Sequence, residues 1–341
     1  MIFYLTYLSF LIIFLFILNN YFIKKKFLIS ETGDKHQKFA SNIKTPLTGG
    51  LLIFLSFLYL FNQLEIYFIF FSFMIFLLGI FSDIKLIKSA KVRLFLQILL
   101  IITFVILNET QIVDTRIFLL DKFLTSVSFN YIFVVFCILI VVNGSNFFDG
   151  LNTLSIGYYL LVALSIFYLN SRYYININET VIMNLILVLS IALVLNIFNK
   201  IFLGDSGSYL LGFIFAVFLI DLYTFNRHIS PFFIIFLLWY PSYELLFSMI
   251  RKIILKRSPL DPDSNHLHQL VFYSLKKRNS LNPLRANLLS AVMINTYNLI
   301  IFLISMNYIT NTQIQIILIL LNLIMYTVIY FKLFVYRYKK I

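Results

Sequence analysis

Charged residues are scarce in this sequence. Asp, Glu, Lys and Arg make up 12% of its 341 residues, and 61% of the residues are hydrophobic. A soluble domain of this length is usually about 45–50% apolar and roughly 25% charged. The only cysteine is Cys137, so an intrachain disulfide is excluded. The sequence also lacks internal repeats and low-complexity linkers. These absences exclude an ordinary soluble domain and a disulfide-stabilised fold.

Long apolar runs take the place of the missing charge. Runs of about 20 uncharged apolar residues predict transmembrane helices, and we identify about eleven, with ten as the alternative count. They lie near residues 2–23, 46–61, 67–81, 94–107, 127–142, 154–170, 181–198, 208–224, 231–250, 288–307 and 313–331. Only short loops remain between them. We therefore predict one all-α polytopic membrane domain over residues 1–341. The first run is too long for a signal-peptide core, and we expect a retained helix.

Basic residues are distributed unevenly among the loops. If each loop is numbered by the span it follows, the odd loops and the C-terminal tail hold all but four of the 27 Lys and Arg residues. The four exceptions are Arg116, Lys122, Arg172 and Arg227. Cytoplasmic loops are enriched in Lys and Arg, so we predict that odd loops and the C terminus face the cytoplasm and the N terminus lies outside. We assign the net charge of +13 to topology and anionic lipids, and expect no nucleic-acid partner.

The unusual polar clusters all lie in odd loops. They are ETGDKHQKFASNIKTPLTGG (31–50), GIFSDIKLIKSAKVR (79–93), NGSNFFDGLNTL (143–154), NKIFLGDSGS (199–208) and SPLDPDSNHLHQL (258–270). The even loops have no comparable segment. Because the odd loops share one membrane face, these clusters predict a single active site on cytoplasmic loops.

The residue types in these clusters indicate phosphate chemistry. Carboxylates for a hard cation are offered by Asp83, Asp149, Asp205, Asp261 and Asp263. Mg²⁺ favours one or two carboxylates together with substrate phosphates. The turn from Gly204 to Ser208 begins a predicted helix, so its backbone N–H groups are candidates for binding an anion. Positive charge for phosphates comes from Lys35, His36, Lys38 and Lys44. We expect a metal-assisted reaction in which one substrate is a lipid.

Several of these residues also have structural explanations. Gly49 and Gly50 are suited to close helix packing. Asp205 is suited to capping a helix. Asp149 and its neighbouring asparagines are suited to a turn network. His266 and His268 are two residues apart and would point to different faces of a helix. The GDSGS segment is similar to a protease signature, but a helical membrane chain without disulfides offers no matching barrel.

Two acidic residues lie in or near predicted spans. Glu244 lies deep in the ninth span, and an ionisable residue at that depth is a functional candidate by default. Asp221 lies close to the outer end of the eighth span, where it can reach water. Glu244 is therefore the stronger candidate of the two.

The clusters together resemble a known enzyme family. KTPLTGG, GIFSDIKLI, NGSNFFDGLNTL, FLGDSGSYLLG and DSNHLHQL follow, in order, the motifs of the polyprenyl-phosphate N-acetylhexosamine-1-phosphate transferases. That family, glycosyltransferase family 4, includes the phospho-N-acetylmuramoyl-pentapeptide transferases and the enzymes that begin O-antigen and related glycans. The resemblance extends from loop 1 to loop 9. It implies a multi-pass protein of the bacterial inner membrane with a cytoplasmic site.

The resemblance also implies an activity. A sugar phosphate would pass from a UDP-acetamido sugar to undecaprenyl or another polyprenyl phosphate, with release of UMP. Mg²⁺ would be required, with Mn²⁺ as an alternative metal. TPLTGG and the single HLHQ segment favour the glycan-initiating branch over the muramoyl-pentapeptide branch, which remains an alternative. A homodimer is left open.

The motif positions carry the family's site residues onto this sequence. Asp205 matches the magnesium-binding aspartate, Asp149 matches the nucleotide-site segment, and Lys44 matches the loop-1 motif. The full assignment is catalytic residues Asp83, Asp205, His266 and His268, metal ligands Asp205 and Asp149, and substrate-binding residues Lys44, Gly49, Gly50, Asn143, Asn146, Asp149, Asn196, Gly204 and Ser206.

The sequence departs from the family pattern at three positions. Ser82 stands where the first aspartate of an Asp-Asp pair is usual, Asn152 where a second aspartate is common, and Gln269 where another histidine often follows. A phosphate monoester is already largely ionised near neutral pH, its second pKa being about 6, so a dedicated base is dispensable. We therefore expect an active enzyme. The alternatives are a catalytically inactive relative and a transporter of lipid-linked glycans.

Overall fold

The chain is helical throughout the part that can be described. The computed structural model describes residues 2–30, 45–60, 63–173, 175–259, 261, 263–279 and 281–339. Its helices are α1 (Ile2–Lys25), α2 (Gly49–Leu58), α3 (Ile66–Asp83), α4 (Ala90–Leu107), α5 (Phe118–Leu124), α6 (Val127–Phe148), α7 (Leu154–Tyr173), α8 (Glu179–Ile197), α9 (Gly204–Phe225), α10 (Pro231–Leu237), α11 (Trp239–Ile254), α12 (Leu267–Asn279), α13 (Pro283–Ser305) and α14 (Thr312–Tyr338). Within these ranges the only β-structure is an isolated antiparallel bridge between Ile29 and Pro46. The all-α prediction is confirmed.

The polytopic prediction is confirmed with its lower count. Within the described ranges, nine helices are long and apolar enough to cross a membrane, and the bent pair α10 and α11 makes a tenth. The run predicted near 46–61 forms α2, which has only ten residues. At 1.5 Å per residue such a helix is about 15 Å long, roughly half the thickness of the hydrocarbon core. It is therefore too short to cross alone.

The run predicted as one span near 231–250 is broken. The axes of α10 and α11 meet at 74°. Pro241 lies in the first turn of α11, where its ring would clash with the carbonyl of Leu237 in a continuous helix. That freed carbonyl accepts a hydrogen bond of 2.8 Å from the Tyr158 hydroxyl. The proline explains the break, and the tyrosine satisfies the backbone group that the break exposes.

Helix α9 forms the centre of the bundle. In the most apolar stretch of α9, 78% of the residues are buried, whereas in the corresponding stretches of α4 and α14 only 22% are buried. The outer helices expose large apolar side chains, as expected of surfaces that face lipid; Phe95 of α4 is 62% exposed. Helix α2 packs closely on the start of α9, since a Cβ on Gly50 would lie 2.6 Å from the backbone nitrogen of Gly207. The amide of Gly49 donates to the carbonyl of Phe202 at 2.9 Å.

Contacts among loops 4, 5, 8 and 9 place odd and even loops at two opposite ends of the bundle, as their alternation predicts. At one end, the amide of Asn152 in loop 5 donates to Asn287 at the close of loop 9, at 2.8 Å. At the other end, Arg116 donates to the carbonyls of Arg227 and Ile229, which joins two even loops. The described parts of the loop-1, loop-3 and loop-7 clusters also meet, because Thr45 donates to the carbonyl of Asn199 and the amide of Asp205 donates to Asp83. That this end faces the cytoplasm remains a prediction.

Candidate active site

A cavity of about 260 Å³ opens at the end where the odd loops meet. It is bounded by the C-terminal ends of α3, α6 and α11 and by the N-terminal ends of α4, α9 and α12. Of the predicted site residues, those that line it are Asp83, Asn146, Asp149, Asn196, Gly204, Asp205, His266 and His268. The convergence expected from the sequence is therefore present.

Asp205 is held by side chains from three other helices. It lies in the first turn of α9. Its Oδ1 accepts a hydrogen bond from Asn146 of α6 at 2.7 Å. Its Oδ2 accepts from the Ser82 hydroxyl of α3 at 2.5 Å and from Arg93 Nη1 of α4 at 3.0 Å. Because every partner is a donor, these contacts hold the Asp205 carboxylate in one orientation.

Asp83 caps the helix that carries Asp205. Its Oδ1 accepts from the backbone amide of Asp205 at 2.8 Å, and its Oδ2 accepts from the amide of Ser206 at 3.0 Å. A carboxylate at this position satisfies unpaired N–H groups and opposes the positive end of the helix dipole. Gly204, with φ of +70°, permits the approach, since a Cβ there would lie 2.8 Å from Asp83 Oδ2. These two amides were expected to bind an anion, and the structure assigns them to Asp83 instead.

Asp149 adds a third carboxylate to the cavity. It follows the last residue of α6 and is half-buried. Its side chain makes no hydrogen bond or ion pair with any residue in the described ranges. Burial, together with the negative charges of Asp205 and Asp83, raises the pKa of the Asp149 carboxyl well above its ordinary value. A cation in the cavity would relieve this crowding of negative charge.

The donor set fits a magnesium ion bound with a substrate. Among the described residues no group of three or more His, Cys, Asp or Glu side chains is arranged to hold a metal. Mg²⁺ is usually bound through one or two carboxylates together with substrate phosphates. Asp149 and Asp205 offer such a pair, and Asp149 has an unpaired carboxylate.

Two histidines line the opposite wall. His266 directly precedes α12 and His268 lies in its first turn, so the two rings stack in parallel at 5.6 Å and do not point to different faces of one helix. His266 Nδ1 lies 2.9 Å from Glu244 Oε1. Neither ring nitrogen of His268 has a hydrogen-bond partner within the described ranges, and the side chain is fully buried. Burial lowers the pKa of His268 to about 3, so its ring is neutral at pH 7 and can offer one donor and one acceptor.

Asp261 and Asp263 were predicted from the sequence to be further carboxylates for a cation. In the structure, the Asp263 carboxylate already has a partner. Its side chain forms a salt bridge with Arg251 and accepts from the backbone amide of Ser264 at 2.7 Å. Burial raises the pKa of the Asp263 carboxyl, but the charge and hydrogen bond of Arg251, together with the nearby His266 and Lys252, outweigh burial and hold the pKa below its ordinary value. Asp263 therefore stabilises the loop before α12.

Other predicted residues support the walls of the cavity. Asn143 donates to Gln97 at 2.9 Å and joins α6 to α4. Asn196 lines the cavity, but its side-chain amide is engaged by the backbone: Oδ1 accepts from the amide of Thr153, and Nδ2 donates to the carbonyl of Ile201. Ser206 is buried and, as described, donates its amide to Asp83.

The loop-1 predictions divide into two groups. Gly49 and Gly50 lie in the contact between α2 and α9 and do not line the cavity, so the structure gives them the packing function that the sequence left open. Lys44 lies outside the described residues, as do Lys35, His36 and Lys38.

Two basic residues of the site were not predicted from the sequence. Arg93 and Lys252 line the cavity, and both were counted only toward topology. A signal existed for Arg93, because a cation in the first turn of a helix opposes the helix dipole and needs another partner. Lys252 is 3% exposed and donates to the backbone carbonyl of Asp261 at 2.6 Å. It lies near the C terminus of α11, where a cation is favourable, so nothing in the sequence marked it.

Two comparisons relate this chain to known proteins. Residues 65–223, which include Asp83, Asp149 and Asp205, match the family described as Glycosyl transferase family 4. The chain is similar to the undecaprenyl-phosphate alpha-N-acetylglucosaminyl 1-phosphate transferase of Thermotoga maritima, with 28% identity over 238 residues, 69% of this chain and 71% of the relative. The matched segment and this relative are both similar to the family that the motifs resemble.

Proposed function

We propose that this protein transfers an N-acetylhexosamine 1-phosphate from a UDP-sugar to undecaprenyl phosphate or another polyprenyl phosphate, and thereby begins the synthesis of a lipid-linked glycan. The observation that carries the proposal is the meeting of Asp149, Asp205 and His268 in one cavity at the basic end of a membrane bundle. The Thermotoga relative is named for transfer of N-acetylglucosaminyl 1-phosphate to undecaprenyl phosphate. We place the reaction at the cytoplasmic face, where the basic loops are predicted to lie.

The proposed metal is Mg²⁺, with Mn²⁺ as the alternative. Asp149 and Asp205 would hold it, because carboxylate oxygens are the protein ligands that Mg²⁺ prefers. When bound, the ion would neutralise charge on the donor diphosphate. The remaining contributions come from side chains of the chain itself.

The proposed chemistry forms and breaks one bond each. An oxygen of the polyprenyl phosphate attacks the phosphorus that carries the sugar, and the bond from that phosphorus to the bridging oxygen breaks, so UMP departs with the electron pair. The attacking phosphate is already largely ionised near neutral pH, so no side chain has to remove a proton. Catalysis then rests mainly on positioning and charge stabilisation.

The cavity residues are suited to positioning the substrates and stabilising their charge. Arg93 and Lys252 line the cavity and would place positive charge beside the phosphates of the substrates. His268, neutral and without a partner in the described chain, is available to bind a polar group of the substrate. Ser82, which replaces the usual aspartate, donates to Asp205 and accepts from Arg93 at 2.5 Å. We assign Ser82 to orienting these two side chains.

Release of UMP by the purified protein tests the proposal. The protein in detergent is given polyprenyl phosphate, Mg²⁺ and a panel of UDP-acetamido sugars. We expect release that requires both lipid and metal and is lost in Asp205→Asn. Asp221→Asn is the matched control, because it makes the same substitution near the other end of the same helix. Absence of release from every donor, by protein shown to be folded, would refute the proposal.

A further inference from the structure

We propose that Glu244 is a positioning residue, which orients the His266 ring toward the reacting phosphates through a network completed by Tyr326. This inference rests on the proposed function, because it assigns His266 a task in that reaction. The network joins α11, the segment before α12, and α14. Glu244 itself does not line the cavity, whereas His266 does.

Both oxygens of Glu244 are engaged. The side chain is 1% exposed. Its Oε1 lies 2.9 Å from His266 Nδ1, and its Oε2 accepts a hydrogen bond of 2.7 Å from the Tyr326 hydroxyl. An ionisable group buried within a spanning segment is costly unless it is paired, and such residues commonly serve a function. The pairing here leads directly to a residue of the cavity.

The geometry determines which ring nitrogen is available. Because His266 Nδ1 faces Glu244, Nε2 is the nitrogen left for a ligand in the cavity. The hydrogen bond at one nitrogen of a histidine decides which nitrogen carries the proton. A carboxylate at Nδ1 keeps a proton there. Glu244 therefore presents Nε2 either as an acceptor or, when the ring is charged, as a donor to phosphate.

The other neighbours of His266 pack against its ring but do not hydrogen-bond to its ring nitrogens. Phe147 meets the ring edge-on at 5.4 Å, and His268 stacks in parallel with it. The backbone amide of His266 donates to Gln269 Oε1 at 3.3 Å. None of these contacts reaches a ring nitrogen through a hydrogen bond. Among the residues that the structure describes, Glu244 is the only hydrogen-bond partner of a His266 ring nitrogen.

A purely structural explanation is that Glu244 and Tyr326 only join α11 to α14. The two explanations differ in a double-mutant cycle with His266→Ala, because a residue that acts through His266 loses its effect once that ring is gone. A structural brace would cost the same activity in both backgrounds. The cycle uses Glu244→Gln, which keeps the shape and removes the charge, and Glu244→Leu, which also removes the acceptor.

We expect Glu244→Leu to lower kcat/KM by roughly 10- to 100-fold, the loss expected when a hydrogen bond to a charged group is removed. Glu244→Gln is expected to lose less. In the His266→Ala background neither change should cost more than about twofold. Tyr326→Phe, which leaves the bond between Glu244 and His266, should have an intermediate effect. Ser248→Ala is the control for a buried polar residue of the same helix. Additive losses in the cycle would overturn the proposal.

A second readout does not depend on activity. The chain has four histidines, so ¹⁵N-histidine NMR resolves few ring signals, and a His266→Gln variant assigns the one of interest. We expect the proton of His266 on Nδ1 in the unsubstituted protein and its movement toward Nε2 in Glu244→Leu. An unchanged spectrum in a folded Glu244→Leu variant would refute the positioning function. If the unsubstituted protein releases no UMP, the proposed function fails. The NMR result still decides whether Glu244 determines which ring nitrogen of His266 carries the proton.

Discussion

The carboxylate of Asp83 lies 2.8 Å from the backbone nitrogen of Asp205 and accepts its hydrogen bond. The acid that ends α3 therefore fixes the first turn of α9, and that turn carries the carboxylate assigned to the metal. Asp83 was predicted to be catalytic from its motif. Its contacts with the backbone give it at least a positioning function, whose loss can be measured separately from a chemical one.

Replacement of Asp83 should lower both stability and activity. Loss of a helix N-cap typically costs about 1–2 kcal/mol, so we expect Asp83→Ala to lower the free energy of unfolding by about that amount. Asp83→Asn keeps one acceptor oxygen and should lose less. Chemical denaturation and UMP release, measured on the same preparations, check this. Asp83→Ala with unchanged stability and abolished activity would instead support direct participation in the chemistry.

Replacement of Arg93 should impair the reaction more than its partial exposure suggests. Arg93 holds both Ser82 and Asp205 through Nη1. A guanidinium has several donors in a fixed plane, and an ammonium cannot reproduce them. We expect Arg93→Gln to lower kcat/KM roughly 10- to 100-fold, with Arg93→Lys in between. Lys91→Gln, an exposed cation two residues earlier on α4, is the control and should change little. Equal effects at the two positions would mean that only the overall positive charge matters.

A methyl group at Gly150 should disturb His268. A Cβ at this position would lie 2.3 Å from His268 Nε2, so the ring would have to move. We expect Gly150→Ala to reduce UMP release at least tenfold, roughly the effect of misplacing one binding group. The clash disappears when the ring is absent. The double variant with His268→Ala should therefore be as stable in thermal melts as His268→Ala alone. Full activity in Gly150→Ala would show that the position of His268 is unimportant.

The titration of His268 should be visible in stability but not in the activity profile near neutral pH. The pKa of this buried ring is lowered to about 3, whereas an unfolded histidine has a pKa of about 6.5. The unfolded state therefore binds the proton first, and stability falls as the pH drops below about 6.5. At pH 5 this effect lowers the free energy of unfolding by about 2 kcal/mol relative to neutral pH.

His268→Gln removes the titrating group and keeps a polar side chain. The fall in melting temperature between pH 7.5 and pH 5 should be smaller in this variant than in the unsubstituted protein. Its pH–activity profile between pH 6 and pH 9 should keep its shape, even if the rate is lower. If a rise or fall of activity with pH disappears in His268→Gln, the His268 ring titrates in that range and is less isolated from water than its burial implies.

Much of the site could be predicted from the sequence because membrane topology constrains it. Apolar runs that alternate in direction bring every second loop to the same end, so Asp149, Asp205 and His268 were expected at one end of the bundle. Glu244 could be identified as a functional candidate for a related reason, since a buried charge in a spanning helix requires a partner.

The remaining details depend on packing that no local pattern shows. Gly50 has the same sequence signature whether it approaches a phosphate or a neighbouring helix, and only the position of Gly207 decides between the two. The amides at the start of α9 were free to bind an anion until Asp83 was found beside them. Arg93 was overlooked because a basic residue near a membrane surface already has a sufficient explanation in topology.

The location of the transferred phosphate tests the central claim most directly. A UDP-acetamido sugar that carries ³²P in the phosphate attached to the sugar is incubated with the protein, Mg²⁺ and polyprenyl phosphate, and the lipid extract is counted beside the soluble nucleotides. Transfer of a sugar phosphate predicts label in the lipid, unlabelled UMP in equal amount, and loss of both in Asp205→Asn. Label retained in UDP, with sugar but no phosphate in the lipid, would show simple glycosyl transfer and contradict the account.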